Sequence, residues 1–123
     1  MSNDEKLVLM VTHGPKDPER ATIPFVMAAA ALASDVPVVI GFQADGVELV
    51  RCGVSDTVAA PEFPPLQKLM ADVRELGGTF LVCSPCLKSR GIAAPVDLVE
   101  GAEVVAAARF IAEITSASNA LVY

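Results

Sequence analysis

Two cysteines three residues apart, Cys83 and Cys86, stand in the segment Gly77–Ile92, GGTFLVCSPCLKSRGI. Thiols at this spacing lie on one face of a helical turn, close enough for a disulfide or a shared ligand. The four residues before them, Thr79, Phe80, Leu81 and Val82, follow the pair Gly77-Gly78 and have the pattern of a covered parallel strand. A thiol at the mouth of such a strand occupies the edge where open α/β sheets place their chemistry. The start of a helical turn also favours thiolate, so Cys83 is expected to be the most reactive thiol, with a pKa below the free value of about 8.5. Lys88 and Arg90 bring positive charge to the same segment, and Pro85 stiffens the turn from its first positions. The plain alternative is that both thiols fill space, as free cysteines often do. Position favours chemistry at Cys83, and for Cys86 both readings stay open.

Other side chains join this edge if the sheet is parallel. His13, the chain's single histidine, follows the first strand. It could serve as a base or as a cation near the thiols, although a backbone hydrogen bond in its loop is the commoner role. Asp45 and Glu48 follow the second strand, where a cap and a solvated helix face are the ordinary roles. Cys52, beside Gly53, is read as packing. A zinc site would need Cys52, Cys83, Cys86 and His13 together, with no second pair at the usual spacing, and no metal is expected. Thr12-His13-Gly14-Pro15 lacks a phosphate-loop signature, so no nucleotide or other cofactor is expected. The C-x-x-C invites comparison with thioredoxin, yet it follows the third strand and the chain has no Trp.

These residues depend on the elements that carry them. Lys6–Val11 reads as a strand apolar on both faces. Asp17-Pro18-Glu19 resembles a helix start, but an interior proline costs about 3 kcal/mol. Pro24 therefore moves the expected helix to Thr22–Ser34, and its apolar stretch Ile23–Leu32 is expected to be buried on more than one side. Val36–Phe42 is a second strand, Val47–Cys52 a short helix, and Ser55–Pro65 a loop. Leu66, Leu69, Met70, Val73 and Leu76 repeat at helical spacing up to Gly77-Gly78. After Gly91, Glu103–Val105 reads either as a strand or as the start of a helix ending near Ser116. Ala120–Val122 is a last strand. Alternating strands and helices imply right-handed crossovers and a parallel sheet covered on both faces.

Composition narrows the class of function. The 123 residues are read as one domain, 1–123, with 53% hydrophobic and 20% charged residues and a mean hydropathy of +0.51. So apolar a small chain is expected to cover surface with further copies of itself. The net charge of −6 and the absence of a basic stripe exclude a nucleic-acid binder. The longest apolar run, Ile23–Ala33, contains Pro24 and falls short of the roughly 20 residues that cross a bilayer, so no membrane partner is expected. The acidic opening Met1–Glu5 is unlike a secretory signal, and a cytoplasmic location with free thiols is expected.

Three segments resemble the DsrE/DsrF-like family. Phe42-Gln43-Ala44-Asp45-Gly46-Val47 matches its F-x-x-D-G-V, and Gly77-Gly78, Cys83 and Arg90-Gly91-Ile92 match its G-G…C…R-G-[IV]. Leu98–Val104 is similar to the stretch that follows. The resemblance implies a three-layer α/β/α sandwich with a five-stranded, mostly parallel sheet, assembled into trimers or hexamers. In the sulfur-relay members the cysteine at the position of Cys83 carries sulfur as a persulfide, taken from a donor protein and passed to an acceptor. Those proteins work with that cysteine alone, so Cys86 is a departure. It could resolve a persulfide and release sulfide, or make the pair a thiol–disulfide enzyme. A third possibility is a binding oligomer with incidental cysteines.

Overall fold

The computed structural model describes residues 5–123, so Met1–Asp4, on which the cytoplasmic expectation largely rests, lies outside it. Five strands form one sheet: β1 (Leu7–Val11), β2 (Val38–Phe42), β3 (Thr79–Cys83), β4 (Ala102–Val105) and β5 (Asn119–Val122). Their order is β4-β3-β2-β1-β5, and all four pairings are parallel. Helices α1 (Pro18–Ala33), α2 (Leu66–Glu75), α3 (Ser84–Ser89) and α4 (Ala107–Thr115) connect them, with 3₁₀ segments at Ala44–Val50 and Ser55–Thr57.

Period-two alternation sends the central strands' side chains to two cores. On one face Leu9, Val11, Ile40, Phe42, Phe80 and Val82 meet α1 and α2. Phe25, Phe42 and Phe80 pack there as a triad with centroids 5.3 to 6.0 Å apart, edge-on in two of the three contacts. On the other face Val8, Met10, Val39, Leu81 and Val105 meet Phe110 of α4. Gly41 makes that contact possible, since a Cβ there would stand 2.7 Å from the Phe110 ring. The result is the α/β/α layering expected, with the sheet wholly parallel.

Several boundaries differ from the sequence reading. Helix α1 begins at Pro18, because Asp17 caps it by accepting from the Arg20 N–H at 3.1 Å and Pro18 needs no donor in the first turn. Pro24 is carried inside the helix; the carbonyl it leaves unpaired belongs to Arg20, an exposed residue that water can reach. Helix α1 also buries one side only: Ala21, Thr22, Pro24, Phe25 and Ala28 are covered, whereas Met27 is 42% exposed. Pro37 stays outside β2, and its carbonyl accepts from the Leu7 N–H. The segment read as either strand or helix after Gly91 supplies both, β4 and then α4. Ala44–Val50 winds as a 3₁₀ segment, three residues ahead of the expected helix start. No helix among the described residues is long and apolar enough to cross a membrane.

Candidate functional site

A parallel sheet brings all strand exits to one edge, and the thiols stand at the exit of β3. Cys83 is its last residue and also precedes the first turn of α3; Cys86 follows within that turn, and both are partly buried. The Cys86 side chain acts on the Cys83 thiol. Neither is bonded to Cys52, and all three cysteines are free.

The neighbouring strand supplies the next partner. Phe42 of β2 pairs with Val82, so the chain leaving β2 passes directly beside Cys83 and α3. There the backbone N–H of Ala44 donates to Cys86 Sγ at 3.3 Å. Ala44 holds a left-handed φ of 50°, a conformation that costs a non-glycine residue free energy and persists only where its surroundings enforce it. Those surroundings are unusually close. A Cβ on Gly14 would collide with the Asp45 carbonyl, and one on Gly46 with the Val11 carbonyl. The loops after β1 and β2 thus touch backbone to backbone, and only glycine permits it.

Arg90 closes the arrangement from the far end of α3. Its Nη2 donates to Asp45 Oδ1 at 2.8 Å, while Nη1 donates to the Cys86 carbonyl and to Ser89 Oγ, each at 3.2 Å. The hydrogen bond from Arg90 holds the Asp45 carboxyl below its usual range, against a smaller opposing effect of burial. Asp45 in turn raises the Arg90 pKa, so this cation stays charged.

The Cys83 thiol departs from expectation. Burial pushes its pKa up, and the neighbouring Cys86 side chain adds to the rise; the Cys86 backbone N–H and the Arg90 charge only partly oppose this. The six-residue α3 is too short to reverse the effect of burial. This direction is opposite to the lowered pKa that the helix start led one to expect.

Of the residues singled out beforehand, Cys83, Cys86, Asp45 and Arg90 come together. His13 does not join the thiols by a hydrogen bond. It lies 3.4 Å from Thr12 Oγ1 through Nδ1, and its charge acts on Asp17 and Asp45. Lys88 is exposed, has no ion pair among the described residues, and lines a groove of about 340 Å³ with Ser84, Leu87, Ile92 and Val104. Asp45 is an ion-pair partner of Arg90 and not a cap, and Glu48 reaches Arg51 at 3.4 Å. Cys52 is exposed rather than packed, because the chain turns outward at Gly53 with φ 84°. Sequence reasoning missed Ala44, since a backbone N–H leaves no signature in residue type. The adjacent Asp45-Gly46 is the signal that could have drawn attention to that loop.

The reversal of strand order between β1 and β5, where such sheets commonly bind ligands, is closed here. The Thr12 N–H and hydroxyl both donate to the Tyr123 carbonyl across it. The open chemistry is left to the β2 and β3 exits.

The model of the DsrE/DsrF-like family matches residues 5–123. Two proteins of Methanocaldococcus jannaschii, both described as uncharacterized, are similar in sequence. MJ0989 is 29% identical over 96% of this chain and 99% of its own length. MJ0760 is 33% identical over 87% of this chain, which spans only 38% of that protein. The crystal structure of the ychN protein from E. coli superposes with a TM-score of 0.81 at 19% identity, covering 97% of this chain and 99% of that one. MTH1491 from Methanobacterium thermoautotrophicum, a protein of unknown function, gives 0.75 at 17% identity, covering 95% and 98%. At these identities the two structures speak to the fold.

Proposed function

The chain belongs to the DsrE/DsrF-like family, and on that premise we propose that it handles sulfur as a persulfide on Cys83, with Cys86 as the resolving thiol. The observation that carries this reading is the pair of free, partly buried thiols at the β3 exit, one ending the strand and the other in the first turn of α3. In loading, the Cys83 proton passes to the Cys86 thiolate. The Cys83 thiolate then attacks the terminal sulfur of a donor persulfide, R–S–SH. The donor S–S bond breaks, RS⁻ takes the proton from Cys86 and leaves as RSH, and Cys83 holds –S–SH. Carriage ends when an acceptor thiolate takes that outer sulfur. Where no acceptor comes, the Cys86 thiolate attacks Cys83 Sγ, HS⁻ leaves, and a Cys83–Cys86 disulfide remains for a dithiol reductant to open.

Intact mass after incubation with polysulfide tests the assignment, in a Cys52→Ser background. One added sulfur is expected on Cys83, and Cys83→Ser should abolish it. Cys86→Ser should lengthen the adduct's life; equal lifetimes would remove the resolving role. The contact between the thiols also favours a second reading, a thiol–disulfide enzyme using the pair. Turnover of a disulfide substrate without any persulfide would support it. If neither appears, a binding oligomer with incidental cysteines is what remains.

Assembly into a homo-oligomer, trimer or hexamer, belongs to the same reading. Val122 is 73% and Ile111 58% exposed in the isolated chain. Covering such side chains between subunits gains about 25 cal/mol per Å². A clean monomer by light scattering at micromolar concentration would refute it. Donor and acceptor proteins are the expected further partners, and the cytoplasm is the compartment that keeps such thiols reduced.

A further inference from the structure

We infer that Asp45 and Arg90 are positioning residues for Cys86: by tying the β2 exit loop to the end of α3, they hold the Ala44 N–H against Cys86 Sγ and prepare Cys86 to attack as the resolving thiol. The inference rests on the reading above in one respect only, since a nucleophilic Cys86 matters if the pair does chemistry.

The geometry is a closed circuit. From Cys86 Sγ it runs to the Ala44 N–H at 3.3 Å, through one peptide to Asp45, across 2.8 Å to Arg90, and back through Arg90 Nη1 to the Cys86 carbonyl at 3.2 Å. Ser89 Oγ donates to the same carbonyl at 3.1 Å, which fixes the turn that carries Cys86. An Arg–Asp pair with one half-exposed partner has little to offer stability on its own. Here it closes on a reactive sulfur and on a residue held at φ 50°, which is where stored backbone strain tends to serve function. A backbone N–H aimed at sulfur favours the anion over the thiol, because a thiolate accepts hydrogen bonds far better.

The groups that face this sulfur are few. Cys83 acts on it from the end of β3, Arg90 acts from the end of α3, and Asp45 and Glu48 bear on Arg90 from the 3₁₀ segment. Lys16 and His13 act on Asp45 from the loop after β1. The circuit gives each cysteine of the pair a separate task. Cys83 receives sulfur, and Cys86 takes the Cys83 proton and later attacks.

The test is the rate of iodoacetamide alkylation against pH for Cys86 alone, in full-length protein carrying Cys52→Ser and Cys83→Ser. Arg90→Met and Asp45→Asn should each slow alkylation at neutral pH about fivefold, the equivalent of one ordinary hydrogen bond, and move the profile to higher pH. Arg90→Lys should recover part of the rate. Unchanged profiles in both variants would overturn the inference. So would an effect of Arg90→Met without one of Asp45→Asn, since charge alone would then be acting. Should Arg90→Met fail to fold, Asp45→Asn decides, because Asp45 is half exposed and its replacement removes only the tie. Polysulfide loading of the wild type separates the two readings. Loading with flat profiles sinks the positioning pair alone, and shifted profiles without loading sink the sulfur reading alone.

Discussion

The thiol corner and the β5–α4 edge lie on one sheet and are built by opposite rules. At the corner, backbone meets backbone. Gly14 and Gly46 leave no room for a methyl group, Ala44 is held at φ 50°, and Arg90 ties two loops together. At the edge, every residue of β5 is exposed, and α4 buries a single side chain, Phe110. Beside that one buried side chain, Lys6 ahead of β1 pairs with Glu113 at 2.8 Å and fastens the helix, and Arg109 pairs with the same carboxylate within the helix. A site that must aim one sulfur at another needs close contacts that determine every atom. An edge reserved for another surface needs only to stay in place.

The sharpest way to break this contrast is to insert volume at the corner. Gly46→Val should collide with the Val11 carbonyl and destabilise the chain by about 3 kcal/mol, the upper range for overpacking. Urea denaturation checks this, and loss of fast Cys86 alkylation should accompany it. Next in size is the difference between the two thiols. In Cys52→Ser protein at pH 7, Cys86 should alkylate several-fold faster than Cys83, and Cys83 should catch up only at higher pH, because burial raises its pKa. Equal rates would mean that burial does not protect Cys83.

A smaller effect comes from acid. Asp45 has a folded pKa below its usual 3.8, so its link to Arg90 contributes stability that is fully present above about that pH. That contribution is lost as pH falls through the lower, folded value, and Asp45→Asn should remove this part of the acid dependence. Chemical denaturation between pH 5 and about 2 would show it. The smallest effect on folding belongs to the edge. Ile111→Ser with Val122→Ser should change the stability of the isolated chain by no more than about 0.5 kcal/mol per site, yet shift the mass seen by light scattering. A large loss of stability with unchanged mass would make the edge part of the core.

Much of this architecture is legible in the residues. Strands β1, β2 and β3 have runs of apolar side chains bounded by turn residues, and α2 shows its helical period from Leu66 to Val73. Misjudged boundaries trace to single interactions. The Asp17 cap outweighed the interior Pro24 in setting the start of α1. Val104 and Val105 suited either a strand or a helix until β3 offered them partners. At the site, the cysteine spacing identified the pair, and the F-x-x-D-G-V and R-G-I segments held both ends of the ion pair without showing that they meet.

Local chemistry was thus decided by the sequence: which residues can be nucleophiles, which runs must be buried, and where glycine interrupts them. Residue type and spacing carry that information because hydrophobic period and turn preference act over a few neighbours. Electrostatics at the thiols was decided only by the fold. A helix start argues for an acidic Cys83, but its burial at the β3 exit and its contact with Cys86 act in the opposite direction and prevail. The partner of Cys86 is the N–H of an alanine 42 residues earlier in the chain, brought there because β2 and β3 are neighbours in a parallel sheet. Backbone donors are alike in every residue but proline, so no reading of side chains could have named this one.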